Sequence, residues 1–271
     1  MAEEREDRVI YPVEVKGLVA GYGEKIILEG VDFIAYPGEI TVILGGSGCG
    51  KSTLLRNILG LFPPIGGTVK LFGEEIGRLS DKELKRLRSN IGVLFQNGAL
   101  FTSMSVGENV AMVIREHTRL PDDIVNQMVR MKLAQVGLED AITKYPNELS
   151  GGMKKRAALA RAIALDPLVL FCDEPSAGLD PVVASELDDL LINLRNLFKM
   201  SVIVVTHELE SIKKIADRVV MLDKGKVIAE GRLEEVMKSK NPKVFDFFHR
   251  ISHTEEKASS SLLSLIEGDG K

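Results

Sequence analysis

Short apolar runs alternate with longer segments of helical periodicity along most of this chain. Four mostly apolar runs predict strands that are buried on both faces: Ile40–Leu44, Leu168–Cys172, Ser201–Thr206 and Arg218–Leu222. Pro181 begins a segment whose apolar residues recur with helical spacing, at Val183, Leu187, Leu190, Leu191, Leu194 and Phe198. Buried strands that alternate with amphipathic helices predict an α/β fold with a largely parallel central sheet.

The remaining pattern divides into a strand-rich first part and a helical middle. The further strands expected are Val13–Val19, Ile26–Tyr36 and Thr68–Phe72, and a helix is expected from about Lys51 to Leu59. Residues 97–164 contain mostly helical patterns. This stretch is expected to be a helical subdomain inserted between strands.

Composition narrows the class of protein. The 271 residues fit one domain with modest extensions, and 35 Lys and Arg against 39 Asp and Glu give no basic excess that would indicate nucleic-acid binding. Two cysteines are too few for a disulfide framework. No run approaches the roughly 20 apolar residues needed to span a bilayer. We therefore expect a protein that acts from the cytoplasmic side of any membrane it serves, through a partner.

The two ends of the chain differ from its body. Residues 1–10 form a charged leader without the apolar stretch of a signal peptide. Residues 11–250 are expected to form the domain. Residues 251–271 are mostly charged, then Ser-rich, then briefly apolar, and this tail is expected to be poorly ordered unless a partner holds it.

A glycine-rich loop connects the strand Ile40–Leu44 to the helix that follows. It fits the pattern G-x-x-x-x-G-K-[ST] with Gly45, Gly46, Ser47, Gly48, Cys49, Gly50, Lys51 and Ser52. Successive backbone N–H groups of such a loop curl around phosphate oxygens, and the positive end of the helix adds to the attraction. Lys51 would reach the β- and γ-phosphates of a nucleotide, and the Ser52 hydroxyl would bind Mg²⁺. The strand–loop–helix context argues against a chance glycine-rich turn.

Two adjacent carboxylates, Asp173 and Glu174, follow the strand Leu168–Cys172. An acidic residue at the carboxyl end of a strand beside a phosphate-binding loop can hold Mg²⁺, often through its waters. The next residue would face the γ-phosphate and polarise an attacking water. Alone, such a pair is as often two ordinary loop acids. Together with the upstream loop it predicts a nucleotide-hydrolysing site.

A third motif, Leu149-Ser150-Gly151-Gly152-Met153, resembles the LSGG signature of ABC ATPases, and the similarity extends through much of the chain. A serine and two glycines that open a helix, expected from Met153 to Ala164, form a second anion site. An N-cap role would explain Ser150 alone but not the order of the three motifs. The resemblance implies a P-loop NTPase core with an antiparallel β subdomain and the inserted helical subdomain. It also implies a homodimer around two ATP molecules, in which Ser150, Gly151 and Gly152 bind the γ-phosphate of the opposite subunit's ATP.

The same resemblance assigns roles to four further positions. Tyr22 looks like the aromatic residue that stacks on adenine, and Gln96 looks like the Q-loop glutamine that touches Mg²⁺ and senses the permease. Asp180 lies in a segment similar to the D-loop, which crosses the dimer interface. His207 looks like the H-loop histidine that contacts the γ-phosphate.

Three sets of residues follow from this resemblance, with ATP and Mg²⁺ as the implied cofactors. The catalytic set is Glu174, His207 and Lys51. The metal set is Ser52, Gln96 and Asp173. The nucleotide-binding set consists of the P-loop residues 45–52 and the adjacent Thr53, together with Tyr22, Gln96, Ser150, Gly151, Gly152 and Asp180.

Three classes of ABC protein compete for this sequence. A soluble ABC ATPase of DNA repair, chromosome organisation or translation is disfavoured, because 97 residues between Lys51 and Leu149 leave no room for a long coiled coil and the chain has one P-loop. A regulator that no longer hydrolyses ATP is disfavoured because Glu174 and His207 are present. A transporter ATPase that works with a separate permease is favoured.

Among transporter ATPases, the resemblance is closest to the Mla type, which serves phospholipid transport systems with MCE-domain lipid binders. It is carried by the segment Phe95–Asn109, by Met153 in place of the usual Gln, and by Glu174–Pro181. An importer or lipoprotein-release ATPase is the alternative, because those proteins share every catalytic motif. The implied partners are a second copy, an integral permease at the cytoplasmic face of the inner membrane, and accessory cytoplasmic and MCE subunits.

Three local features have two interpretations each. Leu100, Phe101, Met104 and Val106 either pack in the core or receive a permease helix beside Gln96. Cys49 is either a thiolate favoured by the helix start and Lys51, or a small buried residue. The basic run 154–156 is interpreted as a solvated helix face with some attraction to phosphate, rather than as a nucleic-acid patch.

Overall fold

The computed structural model describes residues 9–249. Of the expected leader, residues 1–8 lie outside the described residues, and so does the whole expected tail, 251–271. The strands are β1 Val13–Tyr22, β2 Lys25–Ala35, β3 Ile40–Gly45, β4 Gly66–Leu71, β5 Glu74–Glu75, β6 Ile91–Leu94, β7 Val169–Asp173, β8 Ser201–Val205, β9 Arg218–Asp223 and β10 Lys226–Arg232. The helices are α1 Lys51–Ile58, α2 Asp81–Arg88, α3 Val106–His117, α4 Asp122–Gln135, α5 Gly151–Ala162, α6 Pro181–Phe198, α7 Leu209–Ile215, α8 Leu233–Met237 and α9 over 242–249.

The strands form two sheets. The first is antiparallel, with the order β2-β1-β4-β5, and Val13 of its central strand β1 pairs with Ala35 on one side and Leu71 on the other. The second has the order β10-β9-β3-β8-β7-β6, in which every pair except β9–β10 is parallel. The expected α/β fold with a largely parallel sheet and an antiparallel β portion is confirmed.

The central sheet is buried on both faces, which explains why its strands have no polar alternation. On β8, Val202 and Val204 face a core shared with α3–α7 and α9, whereas Ile203 and Val205 face a second core. This second core is closed by the antiparallel sheet and α1, through residues such as Phe33. The stacked layers leave the carboxyl ends of the parallel strands open at one edge.

Helices α3, α4 and α5 all fall between residues 97 and 164. The helix α3 begins at a capping box, in which the Ser105 hydroxyl accepts from the Glu108 N–H and the Glu108 carboxylate accepts from the Ser105 N–H. The same arrangement of Ser80 and Glu83 starts α2. Sequence analysis did not identify α2, although the S-D-K-E pattern is a readable start signal.

Element ends account for most differences from the sequence-based expectation. The strand β1 continues to Tyr22, three residues further than expected, because it pairs with β2 up to the hairpin turn. The helix α5 begins at Gly151 and ends at Ala162, since Ser150 caps it. Val106, one of the residues considered for permease docking, has 0% exposed surface and belongs to the core.

Candidate nucleotide site

One cavity of about 800 Å³ lies at the carboxyl edge of the parallel sheet. The glycine-rich loop follows β3, and Gln96, Glu174 and His207 lie just after the ends of β6, β7 and β8. Because these four strands are neighbours in the sheet, their carboxyl ends bring the side chains to one place. The lining residues are Lys25, Ile27, Gly45, Gly46, Ser47, Gly48, Gly50, Lys51, Ser52, Thr53, Gln96, Asp173, Glu174, His207 and Phe247. The P-loop, Gln96, the Asp173–Glu174 pair and His207, which lie far apart in sequence, therefore meet at one site.

The glycine-rich loop is wrapped tightly before α1. A Cβ on Gly45 would lie 2.3 Å from the Leu222 carbonyl oxygen, so only glycine fits where β3 enters the loop. The Lys51 ammonium folds over the loop and donates to the carbonyls of Gly45, at 2.8 Å, and Gly46, at 3.2 Å. This conformation places a cation and the N-terminus of α1 at the floor of the cavity, as phosphate binding requires.

Glu174 is held in an unusual backbone conformation. Its φ angle is 45°, in the left-handed region that non-glycine residues seldom adopt, and its N–H donates to the Val205 carbonyl at 2.8 Å. Its Oε1 lies 2.9 Å from Nδ1 of His207, whose side chain is 62% exposed. Its Oε2 is buried and has no protein donor. The carboxylate is therefore oriented by His207 and keeps one oxygen for another partner.

Asp173 lies beside this carboxylate in a half-buried position. Burial raises the pKa of Asp173, and the neighbouring charge of Glu174 raises it further, whereas Arg56, Lys51 and Lys155 act in the opposite direction. The two carboxylates and the Ser52 hydroxyl line the same cavity. Such hard oxygen donors suit Mg²⁺, and a cation there would relieve the repulsion between the two acids.

Lys155 corrects the interpretation of the basic run 154–156 as a solvated face. Lys155 is only 7% exposed, and its Nζ donates to the main-chain carbonyls of Gln96, at 2.6 Å, and Glu174, at 3.2 Å. Burial lowers the pKa of this ammonium, and surrounding acidic groups act against that shift. Lys154 is exposed, and Arg156 pairs with Glu186 at 2.9 Å. Helical periodicity turned the middle of the three residues inward.

Two residues expected to bind nucleotide do not contribute side chains to the cavity lining. Tyr22 is 43% exposed, accepts a hydrogen bond from Arg56 at 3.1 Å, and meets Phe62 edge-on with ring centroids 5.7 Å apart. The Cys49 side chain is 6% exposed and packs in the core beneath the loop, 2.7 Å from where a Cβ on Gly45 would lie. The interpretation of Cys49 as a small buried residue is thus favoured, and the adenine role of Tyr22 stays a prediction.

The signature and D-loop residues also lie outside the cavity lining. Ser150 caps α5 by accepting from the Met153 N–H at 3.3 Å, and Asp180 caps α6 by accepting from Val182 and Val183. A Cβ on Gly152 would lie 2.5 Å from the Val183 side chain, so this glycine also permits α5 and α6 to pack closely. Both caps place helix N-termini on the surface, and neither lines the cavity of this chain.

Sequence analysis missed three lining residues, Lys25, Ile27 and Phe247. Phe247 comes from α9, where its ring meets that of Phe248 edge-on with centroids 5.3 Å apart. The helix α9 is tied to the β9–β10 turn by an ion pair between Lys243 and Asp223. No local pattern could have found Phe247, because about 200 residues separate it from the loop that it faces.

The fold and the cavity define a P-loop nucleoside triphosphatase with an inserted helical subdomain. A family profile described as "ABC transporter" matches residues 28–177, more than half of the chain. The chain belongs to the ABC transporter family and is an ATPase. Among residues 9–249, no helix is long and apolar enough to cross a membrane.

Individual relatives agree with this assignment. The chain is 44% identical over 235 residues to the intermembrane phospholipid transport system ATP-binding protein MlaF of Haemophilus influenzae, covering 87% of this chain and 89% of that protein. It is 39% identical to the probable ribonucleotide transport ATP-binding protein mkl of Mycobacterium leprae, covering 92% and 74%. The solved dimer of the ATP-binding cassette MJ0796 with ADP and Pi superposes with a TM-score of 0.74 at 31% identity, covering 82% and 98%.

Proposed function

We propose that the chain binds MgATP, hydrolyses it in a dimer with a second copy of itself, and drives a separate membrane permease that moves phospholipid. The observation that carries the proposal is the single cavity in which the P-loop, Gln96, Asp173, Glu174 and His207 converge. Positioning and charge stabilisation dominate phosphoryl transfer, and this cavity supplies both.

Each lining group has a role in hydrolysis. Lys51 binds the β- and γ-phosphates from the loop that it now covers. Glu174 accepts from the attacking water through its unpaired Oε2, while His207 holds Oε1 and contacts the γ-phosphate. Mg²⁺ would be held by Ser52, Gln96 and Asp173, and it would neutralise the charge that develops on the phosphate oxygens.

The site is completed by a second copy. Ser150, Gly151, Gly152 and Asp180 contribute nothing to the cavity of their own chain, which supports a role in the partner's site. The exposed N-terminus of α5 then meets the γ-phosphate across the dimer, where the Ser150 hydroxyl and the helix dipole add to binding. Neither half-site alone surrounds the nucleotide.

Mixed dimers test this sharing. Lys51→Ala and Ser150→Arg subunits should each be inactive alone, but a mixture should recover ATPase activity, because one of the two sites in each heterodimer carries no lesion. The matched control mixes Lys51→Ala with Glu174→Gln, in which both sites are damaged, and should recover nothing. Absence of recovery in the first mixture, with heterodimers verified by native mass spectrometry, would contradict a shared site.

The permease is proposed to dock beside the Q-loop. A groove of about 400 Å³ there is lined by Ile91, Gly92, Val93, Phe95, Ala99, Phe101, Met112, Val113, Arg161 and Ala162. Phe95 and Phe101 are 40% and 48% exposed, an apolar surface that a short amphipathic helix of the permease would cover. Leu100 packs against the core instead, so it is not part of the proposed docking surface.

Phe101→Ala should weaken copurification with the permease and leave ATP binding by the isolated subunit unchanged. The control is Phe245→Ala, because Phe245 is similarly exposed, at 50%, but lies on α9 and does not line the groove. Equal loss in both variants, or none in Phe101→Ala, would leave the docking site unidentified.

Phospholipid is proposed as the transported molecule. The similarity to MlaF supports it, and the similarity to mkl supplies the alternative, a ribonucleotide. The proposal places the subunit at the cytoplasmic face of the inner membrane, with accessory cytoplasmic and MCE lipid-binding subunits as further partners. The complex purified from membranes and placed in nanodiscs should show ATPase activity that depends on the phospholipid composition. Stimulation by ribonucleotides but not by phospholipids would favour the alternative.

A further inference from the structure

The helix α5, which begins at the signature motif, holds the Q-loop through two cations, the buried Lys155 and the half-buried Arg161. The Lys155 ammonium donates to the Gln96 carbonyl, and the Arg161 guanidinium donates to the carbonyls of Gly98, at 2.8 Å, and Ala99, at 2.6 Å. Charge-assisted hydrogen bonds of this kind are about twice as strong as neutral ones. Residues 96–99 are therefore attached to α5 at three points rather than packed loosely against it.

Lys155 extends this attachment to the main chain of Glu174, the residue whose carboxylate is assigned to catalysis. Its Nζ also donates to the carbonyl of Glu174, the residue with a φ angle of 45°. A non-glycine residue seldom adopts such a conformation and keeps it only when its surroundings fix it. The Glu174 N–H donates to Val205, and the Glu174 carbonyl accepts from the Ala177 N–H and from Lys155, each at 3.2 Å, so Lys155 is the side-chain contact that helps to fix this main chain.

Burying an ammonium group costs desolvation free energy, and in the described part of the chain Lys155 has no carboxylate at hydrogen-bond distance to offset that cost. The one other lysine that is buried among residues 9–249 uses a different arrangement: Lys132, which is 2% exposed, donates to Asp166 at 2.5 Å and lies over the ring of Phe198. The charge of Lys132 is neutralised by Asp166, whereas Lys155 donates its hydrogen bonds to two main-chain carbonyls. This difference indicates a role in fixing backbone geometry.

We propose that Lys155 is a positioning residue for hydrolysis, whose buried ammonium fixes the main chains of Gln96 and Glu174 relative to each other and to the signature helix. The inference rests on the proposed function, because it concerns the geometry of that same ATPase site. Since α5 begins at the signature, Q-loop movement and the position of the attacking water become coupled through one side chain.

The first test compares two buried lysines. Lys155→Met should lower kcat about 10- to 100-fold, the usual loss when reacting groups are misplaced by about 1 Å, with KM for ATP changed less than about threefold. Lys132→Met is the control: it should lower Tm and leave kcat within about twofold of the parent. Lys155→Arg, which keeps a long charged donor, should lose less activity than Lys155→Met.

The second test asks whether Lys155 acts through Gln96. Because Lys155 holds the main chain of Gln96, the part of its effect that acts through the Gln96 side chain is lost once that side chain is absent. In a double-mutant cycle, Lys155→Met should therefore lower kcat by a much smaller factor in a Gln96→Ala background than in the parent. If Lys155→Met fails to fold, the same cycle is run with Lys155→Gln, whose amide donor is one bond shorter.

The results separate this inference from the function on which it rests. If the parent hydrolyses ATP and Lys155→Met keeps kcat within about threefold, the positioning role is wrong and the ATPase function stands. Equal losses of kcat in Lys155→Met and Lys132→Met, or multiplicative effects in the cycle, would also overturn it, because they indicate general loosening. An inactive parent would instead contradict the proposed function.

Discussion

Oε1 of Glu174 lies 2.9 Å from Nδ1 of His207, while Oε2 of the same carboxylate is buried without a protein donor. A buried acceptor without a partner is uncommon in proteins and marks a place where another group binds. The histidine side chain is mostly exposed at the cavity, whereas the carboxylate is 14% exposed. The pair thus combines a buried carboxylate oxygen that is free to accept a hydrogen bond with an imidazole that is accessible from the cavity.

Glu174→Gln should retain ATP binding and lose most of the turnover. The amide keeps the shape of the carboxylate but cannot act as a base, and a positioned base contributes about 10²–10⁴-fold to the rate. Single-turnover ATPase assays would measure the loss, and a thermal shift with MgATP would confirm binding. With ATP present, size-exclusion chromatography should show a trapped dimer. Hydrolysis at the parent rate would remove Glu174 from the catalytic role.

Asn109 should contribute strongly to stability, since it organises the loop that follows Gln96. It is fully buried, accepts from the Phe101 N–H at 2.8 Å, and donates to the carbonyls of Phe101, Met104 and Ser105 at 2.9–3.2 Å. Asn109→Ala removes the partner of the Phe101 N–H and of the Met104 carbonyl, whereas the Phe101 and Ser105 carbonyls keep main-chain donors. The variant should cost about 2–4 kcal/mol, given about 1–3 kcal/mol for each buried group left unsatisfied. Chemical denaturation would measure it.

The same variant should also weaken permease binding, because the Phe101 main chain loses its support. Asn126→Ala, at an exposed position of α4, is the control and should change the unfolding free energy by less than about 0.5 kcal/mol. Unchanged stability of Asn109→Ala would show that the loop finds other partners.

Much of this molecule could be predicted from sequence because its signals are local. Buried parallel strands leave continuous apolar runs, and the P-loop and signature are contiguous motifs. Lys155 could not be placed, because whether a lysine on α5 faces solvent or the Q-loop depends on how the helix packs. Phe247 reaches the cavity through a tertiary contact between chain segments far apart in sequence, for which no pattern exists.

Asp188 should make stability depend on pH. Burial raises the pKa of Asp188, although a hydrogen bond from Ser211, at 2.7 Å, and the charge of Lys214 oppose the shift, while Glu208 and Asp189 add to it. The folded chain keeps this proton at a pH where the unfolded chain has released it. The ionised group therefore lowers stability above its raised pKa and costs nothing below the ordinary Asp value of about 3.9.

Asp188→Asn removes this penalty and keeps an acceptor for Ser211. Its Tm should exceed that of the parent by about 2–4 °C near neutral pH, which corresponds to about 1 kcal/mol in a domain of this size. The difference should shrink as the pH falls toward about 4. Asp189→Asn, at the neighbouring exposed position, should show no such trend. A gain that is independent of pH would mean that ionisation of Asp188 is not its cause.

Two aromatic residues compete for contact with adenine, and single substitutions can decide between them. Tyr22 has the sequence position of the stacking residue, but its hydroxyl is engaged by Thr53 and Arg56, and hydrogen bonding to Thr53 is the main reason that its pKa is lowered. Phe247 lines the cavity and has no hydroxyl group that such hydrogen bonds could engage.

Loss of a base–aromatic stack costs about 1–3 kcal/mol. If Tyr22 stacks on adenine, Tyr22→Ala should weaken ATP binding about 5- to 150-fold and inorganic triphosphate binding hardly at all, whereas Phe247→Ala should weaken neither by more than about twofold. Isothermal titration with both ligands measures this. The reverse ranking would transfer the adenine contact to Phe247, and it would make α9 part of the nucleotide site.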